Sequence, residues 1–392
     1  MLTVINFGLA GGANVLVAQY WGKGEPAEIR KVLSIVYRIS VCISLLFSLG
    51  ALCCPEIIMS IFTNDAEVIA AGCRYLTVIG WVYPLYALGN NTIMLLRAVG
   101  TVRISLVVYS TSFVVNAFFN WVFIFGNLGA PRLEIQGAAL ATAIARVVEF
   151  LIVAWFLFRR EHKIQFRLHD LRRFDRVMFG AFVRAATPII FNDMIWAIGN
   201  SMITIIMGRM GKEFVAANSI NSVVMQFASV ALMGTSSAAA AIIGNTIGAG
   251  EYDRARDRAR TLMYIAAMIG VAAGVLIFTI RPFILGFYNI TEVTRGYAMS
   301  FMAITSVLVF FMAQSSVSMM GTLRGGGDGK FVMVIDVIFM WMICIPLGYI
   351  AGLRLGLAAP IVYFIIKCDE MIKSVIGAVR VYRGRWIRDM TV

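Results

Sequence analysis

The stretch 261–280, TLMYIAAMIGVAAGVLIFTI, runs for twenty residues without a charged side chain. At about 1.5 Å per residue, a helix of that length crosses the roughly 30 Å hydrocarbon layer of a bilayer. Comparable apolar runs recur from one end of the chain to the other. Inside lipid every backbone N–H and C=O must be satisfied within the protein, and a helix does so within one segment. The period-two alternation of barrel strands is absent. The pattern predicts eleven membrane helices, over 2–21, 32–53, 73–96, 104–126, 136–158, 179–208, 213–244, 261–280, 297–322, 331–352 and 355–378. A short interfacial helix is expected at 55–71, with a counterpart at 281–293. Composition agrees: 14% of residues are charged, where a soluble domain carries about 25%. The fold class is therefore an all-α polytopic membrane protein.

The formal net charge of +13 is the other strong signal. Sorted by loop, 24 Lys and Arg residues fall on one expected face of the membrane and seven on the other. A nucleic-acid ligand does not ask for that asymmetry, whereas cytoplasmic loops do carry the Lys/Arg excess. The linker 159–178 and the C-terminal tail are thus expected in the cytoplasm, where their charge can also touch anionic lipid. His162 and His169, the chain's two histidines, lie in this linker and are expected to be solvated. The first basic residue is Lys23, so no signal peptide is expected. Cys53, Cys54 and Cys73 lie near the expected outer face and could pair. Cysteine is also an ordinary buried apolar residue, and that is the preferred reading.

The chain repeats itself. AQYWGKGEPAEIR at 18–30 answers GNTIGAGEYDRARDRAR at 244–260, with Gly22, Gly24 and Glu25 matching Gly248, Gly250 and Glu251 at a shift of 226. LRAVGTVR at 96–103 matches LRGGGDGK at 323–330 at a shift of 227. A period of six spans returns the chain to its starting side, so the two copies are parallel, related by an axis along the membrane normal. The expected division is an N-terminal lobe at 1–158, the basic linker at 159–178, a C-terminal lobe at 179–380 and a tail at 381–392. The counterpart of span 179–208 would fall before residue 1, so eleven spans of a twelve-span parent are expected.

These motifs resemble the multidrug and toxic compound extrusion (MATE) family, in its bacterial branch. The matching passages are GANVLVAQYWGKGE (12–25), NAFFNWVFIFGNLGAPRLEIQGAALATAIAR (116–146) and TPIIFNDMIWAIGNSMITIIMGRMG (187–211). GTLRGGGDGKFVMVIDVIFMWMICIPLG (321–348) and KCDEMIKSVIGAVRVYRGRWIRDMT (367–391) complete the set. The resemblance implies two six-helix lobes around a V-shaped cavity. It also implies export of bulky, often cationic or amphipathic small molecules in exchange for Na⁺ or H⁺, by a monomer in the bacterial plasma membrane. No nucleotide, nucleic acid or cofactor is implied. RGGGDGK follows no strand, which argues against a phosphate-binding loop.

An ionisable side chain within a span costs about 2.5–3.5 kcal/mol on insertion scales, so it is a functional candidate. Asp193 lies nine residues beyond Arg184 and sixteen before Arg209, roughly 13 Å and 24 Å along a helix. Asp193, Trp196, Asn200 and Thr204 share one helical face, offering a carboxylate, an aromatic surface and neutral oxygens. In the family this motif usually reads Asn-Glu-x-x-Trp, the Glu coupling transport to a cation. Here Asn192-Asp193 keeps the acid one methylene shorter, with Na⁺ at Asp193 as one option. The other option is an aspartate simply buried among Asn partners. Asp336 matches an intramembrane Asp of this branch, or else pairs with a basic neighbour. Asn218, Asn221, Gln314 and Ser318 are polar groups of the same lobe, serving the cation site, the substrate cavity or helix packing. In the first lobe Asn116 and Asn120 share a face. The family often has Asp where Asn120 stands, so coupling is expected in the second lobe. Arg146 and Glu149 are spaced for an in-helix ion pair. Pro84, Pro188 and Pro346 are candidate bending points.

Two other functions make different demands on the sequence. A lipid-linked oligosaccharide flippase of the same superfamily would want a basic cavity, whereas the basic residues here sit in loops. A membrane-embedded transferase would want a His/Asp/Glu cluster at one membrane face, and no span contains His.

Overall fold

A computed structural model describes residues 1–172 and 174–391. Arg173, one of the linker's basic residues, and Val392, the last of the tail, lie outside the described residues. The described chain is helical, without strands, and ten of its helical stretches are long and apolar enough to cross a membrane. The helices are α1 Leu2–Lys23, α2 Pro26–Cys53, the short α3 Pro55–Ser60, α4 Ala66–Ile79, α5 Tyr83–Ala98, α6 Arg103–Phe125 and α7 Glu134–Arg159. After the linker come α8 Arg176–Arg209, α9 Lys212–Gly248, α10 Tyr252–Gly286 and α11 Glu292–Ser315. The chain ends with α12 Gly329–Val337, α13 Ile345–Tyr349, α14 Ala359–Lys367 and α15 Asp369–Tyr382.

Three departures from expectation have local causes. The interfacial helix at 55–71 is cut to six residues, because Asp65 caps α4 by accepting from the backbone N–H groups of Glu67 and Val68. No counterpart forms at 281–293. There α10 runs on through Pro282 to Gly286, and its last turn buries Leu285 in a core. The eleventh span, 355–378, is broken between Lys367 and Asp369, giving α14 and α15 in place of one helix.

Two helices contain wider π turns. One continues α11 through Ser316–Leu323, and the others occupy Ile338–Cys344 and Ile350–Arg354 on either side of α13. Such turns insert residues into the hydrogen-bond ladder and often accompany functional sites.

The chain divides into two compact units. The first comprises residues 1–17 and 25–186, and the second 18–24 and 187–391. The boundary therefore falls inside α8, between Ala186 and Thr187, rather than in the linker. The tail belongs to the second unit instead of standing apart. The linker folds compactly. Buried Glu161 accepts from the backbone N–H groups of Lys163, Ile164 and Gln165, folding the chain so that Ile164 and Phe166 are buried. A single tight turn follows at Leu168–Arg172. The histidines are exposed, as expected.

The repeated glycines explain themselves in the second unit, where the end of α1 crosses the end of α9. A Cβ on Gly22 would lie 2.0 Å from the Asn245 carbonyl oxygen, and one on Gly248 would lie 1.9 Å from that of Gln19. Gln19 and Asn245 are themselves a pair at shift 226, so the crossing is reciprocal, residue for residue. Gly24 and Gly250 then reverse the chain with φ of 75° and 76°. The second motif repeats a left-handed helix stop: Thr101 N–H bonds to Leu96 O and Asp328 N–H to Leu323 O, with Gly100 and Gly327 at positive φ.

The second unit's main core packs Phe301 between a tilted Phe214 and a stacked Tyr363, with ring centroids 4.9 and 4.4 Å away. The tail is anchored as well. Trp386 is fully buried, and Asp328, also fully buried, pairs with Arg380 and Arg388, each at 2.9 Å.

Candidate functional site

Within the second unit, α8, the π stretch after α11, α12 and α15 bring together most of the chain's intramembrane charge. Asp193 on α8 accepts a 3.0 Å bond from Arg324 Nη2. Both side chains are largely buried, Arg324 at 13% exposed and Asp193 at 20%. The next-door residue, Asn192, donates from Nδ2 to Asp336 Oδ2 at 3.0 Å. Asp336 Oδ1 in turn lies 3.1 Å from Lys373 Nζ, which also lies 2.8 Å from Asp369 Oδ2. Glu370, on the same turn as Asp369, accepts from Ser315 Oγ and interacts electrostatically with Lys373 and both aspartates. The network thus reads Arg324–Asp193, then Asn192, then Asp336–Lys373–Asp369, with Glu370 beside it.

Close packing positions these groups. A Cβ on Gly199 would lie 2.1 Å from Met340 Sδ, so α8 sits hard against the π stretch that follows Asp336. Pro188 and Ile189 approach Gly329 at the start of α12. Lys373 has 4% of its side chain exposed, so its ammonium depends wholly on its carboxylate partners.

Asp193 and Asp336 are brought together through Asn192. For Asp336, the basic-neighbour alternative is the arrangement observed, the neighbour being Lys373. Neither cation, Arg324 or Lys373, stands out in the sequence as a partner of an intramembrane acid. Each is buried against an acid. Asp369, Glu370 and Lys373 escaped sequence reasoning altogether. The signal was there in KCDEMIK, four charged residues within an apolar stretch, with Asp369 and Lys373 at the i, i+4 spacing of an in-helix pair.

Other candidates go elsewhere. Asn221 donates to Tyr363 Oη at 2.7 Å, inside the aromatic core, where that oxygen also meets Thr305. Asn200 donates to the Trp196 carbonyl of its own helix, and Thr204 to that of Asn200. Asn218 is half-buried on α9. Ser318 does not line an open cavity: it is fully buried, with Oγ turned to the Gln314 carbonyl and pressed against Gly377. Gln314 donates to the Met263 carbonyl. Trp196 is 48% exposed and remains available to a ligand. In the first unit Asn120 donates to Asn116 at 2.9 Å, and the expected Arg146–Glu149 pair closes at 2.6 Å. All six cysteines are free thiols, and among the described residues no cluster of three or more His, Cys, Asp or Glu could hold a metal ion.

A family model described as MatE matches residues 1–122 and 188–350, well over half of the chain. The chain belongs to the MatE family. Its relatives include the uncharacterized transporter YisQ of Bacillus subtilis, 23% identical over 97% of this chain and 83% of that one. The probable multidrug resistance protein NorM of Listeria monocytogenes is 24% identical, covering 91% and 78%. The multidrug resistance protein MdtK of Yersinia pseudotuberculosis is also 24% identical, covering 86% and 74%. Among solved structures, an outward-facing multidrug resistance MATE family transporter of the MOP superfamily superposes with a TM-score of 0.87 at 18% identity, over 98% of this chain and 86% of that one. The fold is thus that of MATE transporters. As a MatE member the chain is a polytopic membrane transporter and not an enzyme, which removes the transferase reading.

Proposed function

We propose that this MatE protein exports bulky, often cationic or amphipathic small molecules by antiport, with Na⁺ or H⁺ as the coupling ion and no other cofactor. The names of NorM and MdtK support the substrate class. The observation that carries cation coupling is the imbalance around Lys373. Asp336, Asp369 and Glu370 face one ammonium. Uncompensated carboxylates are costly away from water. A proton on one of them, or Na⁺ beside one of them, relieves that cost.

Asp193 then acts as a switch rather than as the first landing place. Arg324 already neutralises it, so a cation reaches Asp193 only in a form where the guanidinium has let go. Uptake at the Asp336 cluster loosens the hold of Asp336 on Asn192. Because Asn192 and Asp193 are consecutive, movement of one shifts the other against Arg324. The π turns beside Asp336 and Arg324 give those segments a hydrogen-bond ladder that can re-register. The cation moves the equilibrium by no more than its difference in affinity between the two forms. Trp196, Asn116 and Asn120 are the proposed substrate contacts. The charge distribution supports a bacterial plasma-membrane orientation with linker and tail inside, and the protein works as a monomer.

Dye efflux from cells in which the Na⁺ and proton gradients are collapsed separately tests this reading. Efflux should fall with one gradient, and Asp336→Asn and Asp193→Asn should abolish it while leaving the protein folded and in the membrane. Efflux indifferent to both gradients, or unchanged in folded Asp336→Asn, would overturn it.

A further inference from the structure

A groove of about 620 Å³ opens in the second unit between the last turns of α8 and α13 with the π turn that follows it. That is within the roughly 300–1,000 Å³ range of small-molecule sites. One wall is Met202, Ile205 and Ile206, closed by Arg209, a single stripe of α8 at helical spacing. The other is Ile345, Tyr349 and Ile350, closed by Arg354. Apart from the two arginines and the Tyr349 hydroxyl, the lining side chains are apolar. Close contacts hold the walls at both ends. Gly199 meets Met340 Sδ at the deep end, and a Cβ on Gly352 would lie 3.0 Å from Met210 Sδ at the other. With 199 facing 340 and 210 facing 352, the two segments run in the same direction. Arg209 and Arg354, each the last residue of its helical segment, therefore share one end of the groove.

Both arginines are exposed, and neither side chain has a carboxylate or other partner among the described residues. Glu213, four positions past Arg209, pairs with neither. A cation in the last turn of a helix suits the free carbonyls there, which accounts for each arginine singly. It does not account for two on one apolar groove. They are also two of the seven Lys and Arg residues on the sparsely charged face, where membrane proteins place few cations. Each guanidinium offers five N–H donors in a fork that fits a phosphate. A cationic guest is repelled by this pair, and a wholly apolar one leaves it unpaired. An anion with an apolar tail suits both parts of the groove.

We propose that this groove holds an anionic phospholipid of the outer leaflet, its phosphate between Arg209 and Arg354 and one acyl chain along Met202, Ile205 and Ile350. Arg209 to Met202 spans roughly 10 Å along α8, which takes the first half of an acyl chain. The choice of leaflet rests on the reading that linker and tail face the cytoplasm. The binding does not, and its readout is lipid retention, so it stands or fails separately from transport.

The test is native mass spectrometry of the purified full chain in neutral detergent, offered phosphatidylglycerol and phosphatidylcholine of the same acyl chains in equal amounts. Phosphatidylcholine carries the same phosphate but brings a quaternary ammonium to the two cations, so phosphatidylglycerol should be retained preferentially. Arg209→Gln and Arg354→Gln should each retain roughly fivefold less of it, and the double variant roughly thirtyfold less. Arg281→Gln/Arg295→Gln removes the same charge from the same face outside the groove and should retain it as the native chain does. Ile205→Trp, which fills the groove from an exposed position, should release phosphatidylglycerol. Ile350→Trp, on the opposite wall, replaces it if Ile205→Trp is not monodisperse. Three results would overturn the proposal: equal retention of the two lipids by the native chain, a loss in Arg281→Gln/Arg295→Gln as large as in the groove double variant, or unchanged retention in a folded groove-filling variant.

Discussion

Lys373 Nζ stands between Asp369 and Asp336 at 2.8 and 3.1 Å, nearly sealed from solvent. Removing one partner of a buried ion pair is far more damaging than the pair's own net worth, because a bare charge is left behind. Lys373→Met should therefore cost about 3–5 kcal/mol, read as a lowered Tm in detergent, with Lys373→Arg recovering part of the loss. A Tm unchanged in Lys373→Met would mean that the carboxylates are already neutral. Asp193 and Arg324 invite a double-mutant cycle. Asp193→Asn and Arg324→Gln should each destabilise, and the double variant should fall short of their sum by about 0.5–3 kcal/mol. Strict additivity would show that the pair is not formed. The repeat sharpens the point. Arg97, the counterpart of Arg324 at shift 227, bonds to Ser105 Oγ and lies over Tyr109, with no carboxylate in that role among the described residues.

Helix ends carry the next scale of constraint. Gly248 and Gly250 belong to one motif but do different work, the first allowing a close crossing and the second a left-handed turn in open space. Gly248→Ala must push α9 away from the Gln19 carbonyl and should lower Tm strongly, by the equivalent of about 1–3 kcal/mol or more. Gly250→Asn, which tolerates positive φ, should be nearly silent. Equal effects would contradict the crossing. At the start of α8, Asp175 accepts from the Met178 N–H and pairs with Lys31, which together hold its carboxyl below the usual range. A depressed carboxyl contributes stability that is present above its unfolded pKa and lost as pH falls through its folded one. Asp175→Asn should thus lower Tm at neutral pH and converge with the native chain in acid.

Taken as a whole, the molecule was legible from sequence wherever one segment carried its own signal. Apolar runs of membrane length fixed ten helices, and the Gly-x-Gly-Glu repeat located two equivalent turns. Asp193 and Asp336 stood out because an acid in an apolar run has few other reasons to be there. Their partners did not stand out. Arg324 and Lys373 lie at the ends of apolar runs, where a solvated loop explains a cation equally well. Only the fold closes the 131 positions between Asp193 and Arg324. The break at Cys368 was hidden for a similar reason: an apolar run around a few charges reads as one span until the charges are seen to pair.

Reconstitution of the purified chain into liposomes with a pH-sensitive dye inside, under imposed proton or Na⁺ gradients, addresses the Asp336–Lys373 cluster most directly. Adding substrate to the native protein should drive a counter-flow of H⁺ or Na⁺, and Asp336→Asn should bind substrate yet move no ion. Ion counter-flow in Asp336→Asn equal to that of the native chain would contradict the role assigned to this cluster.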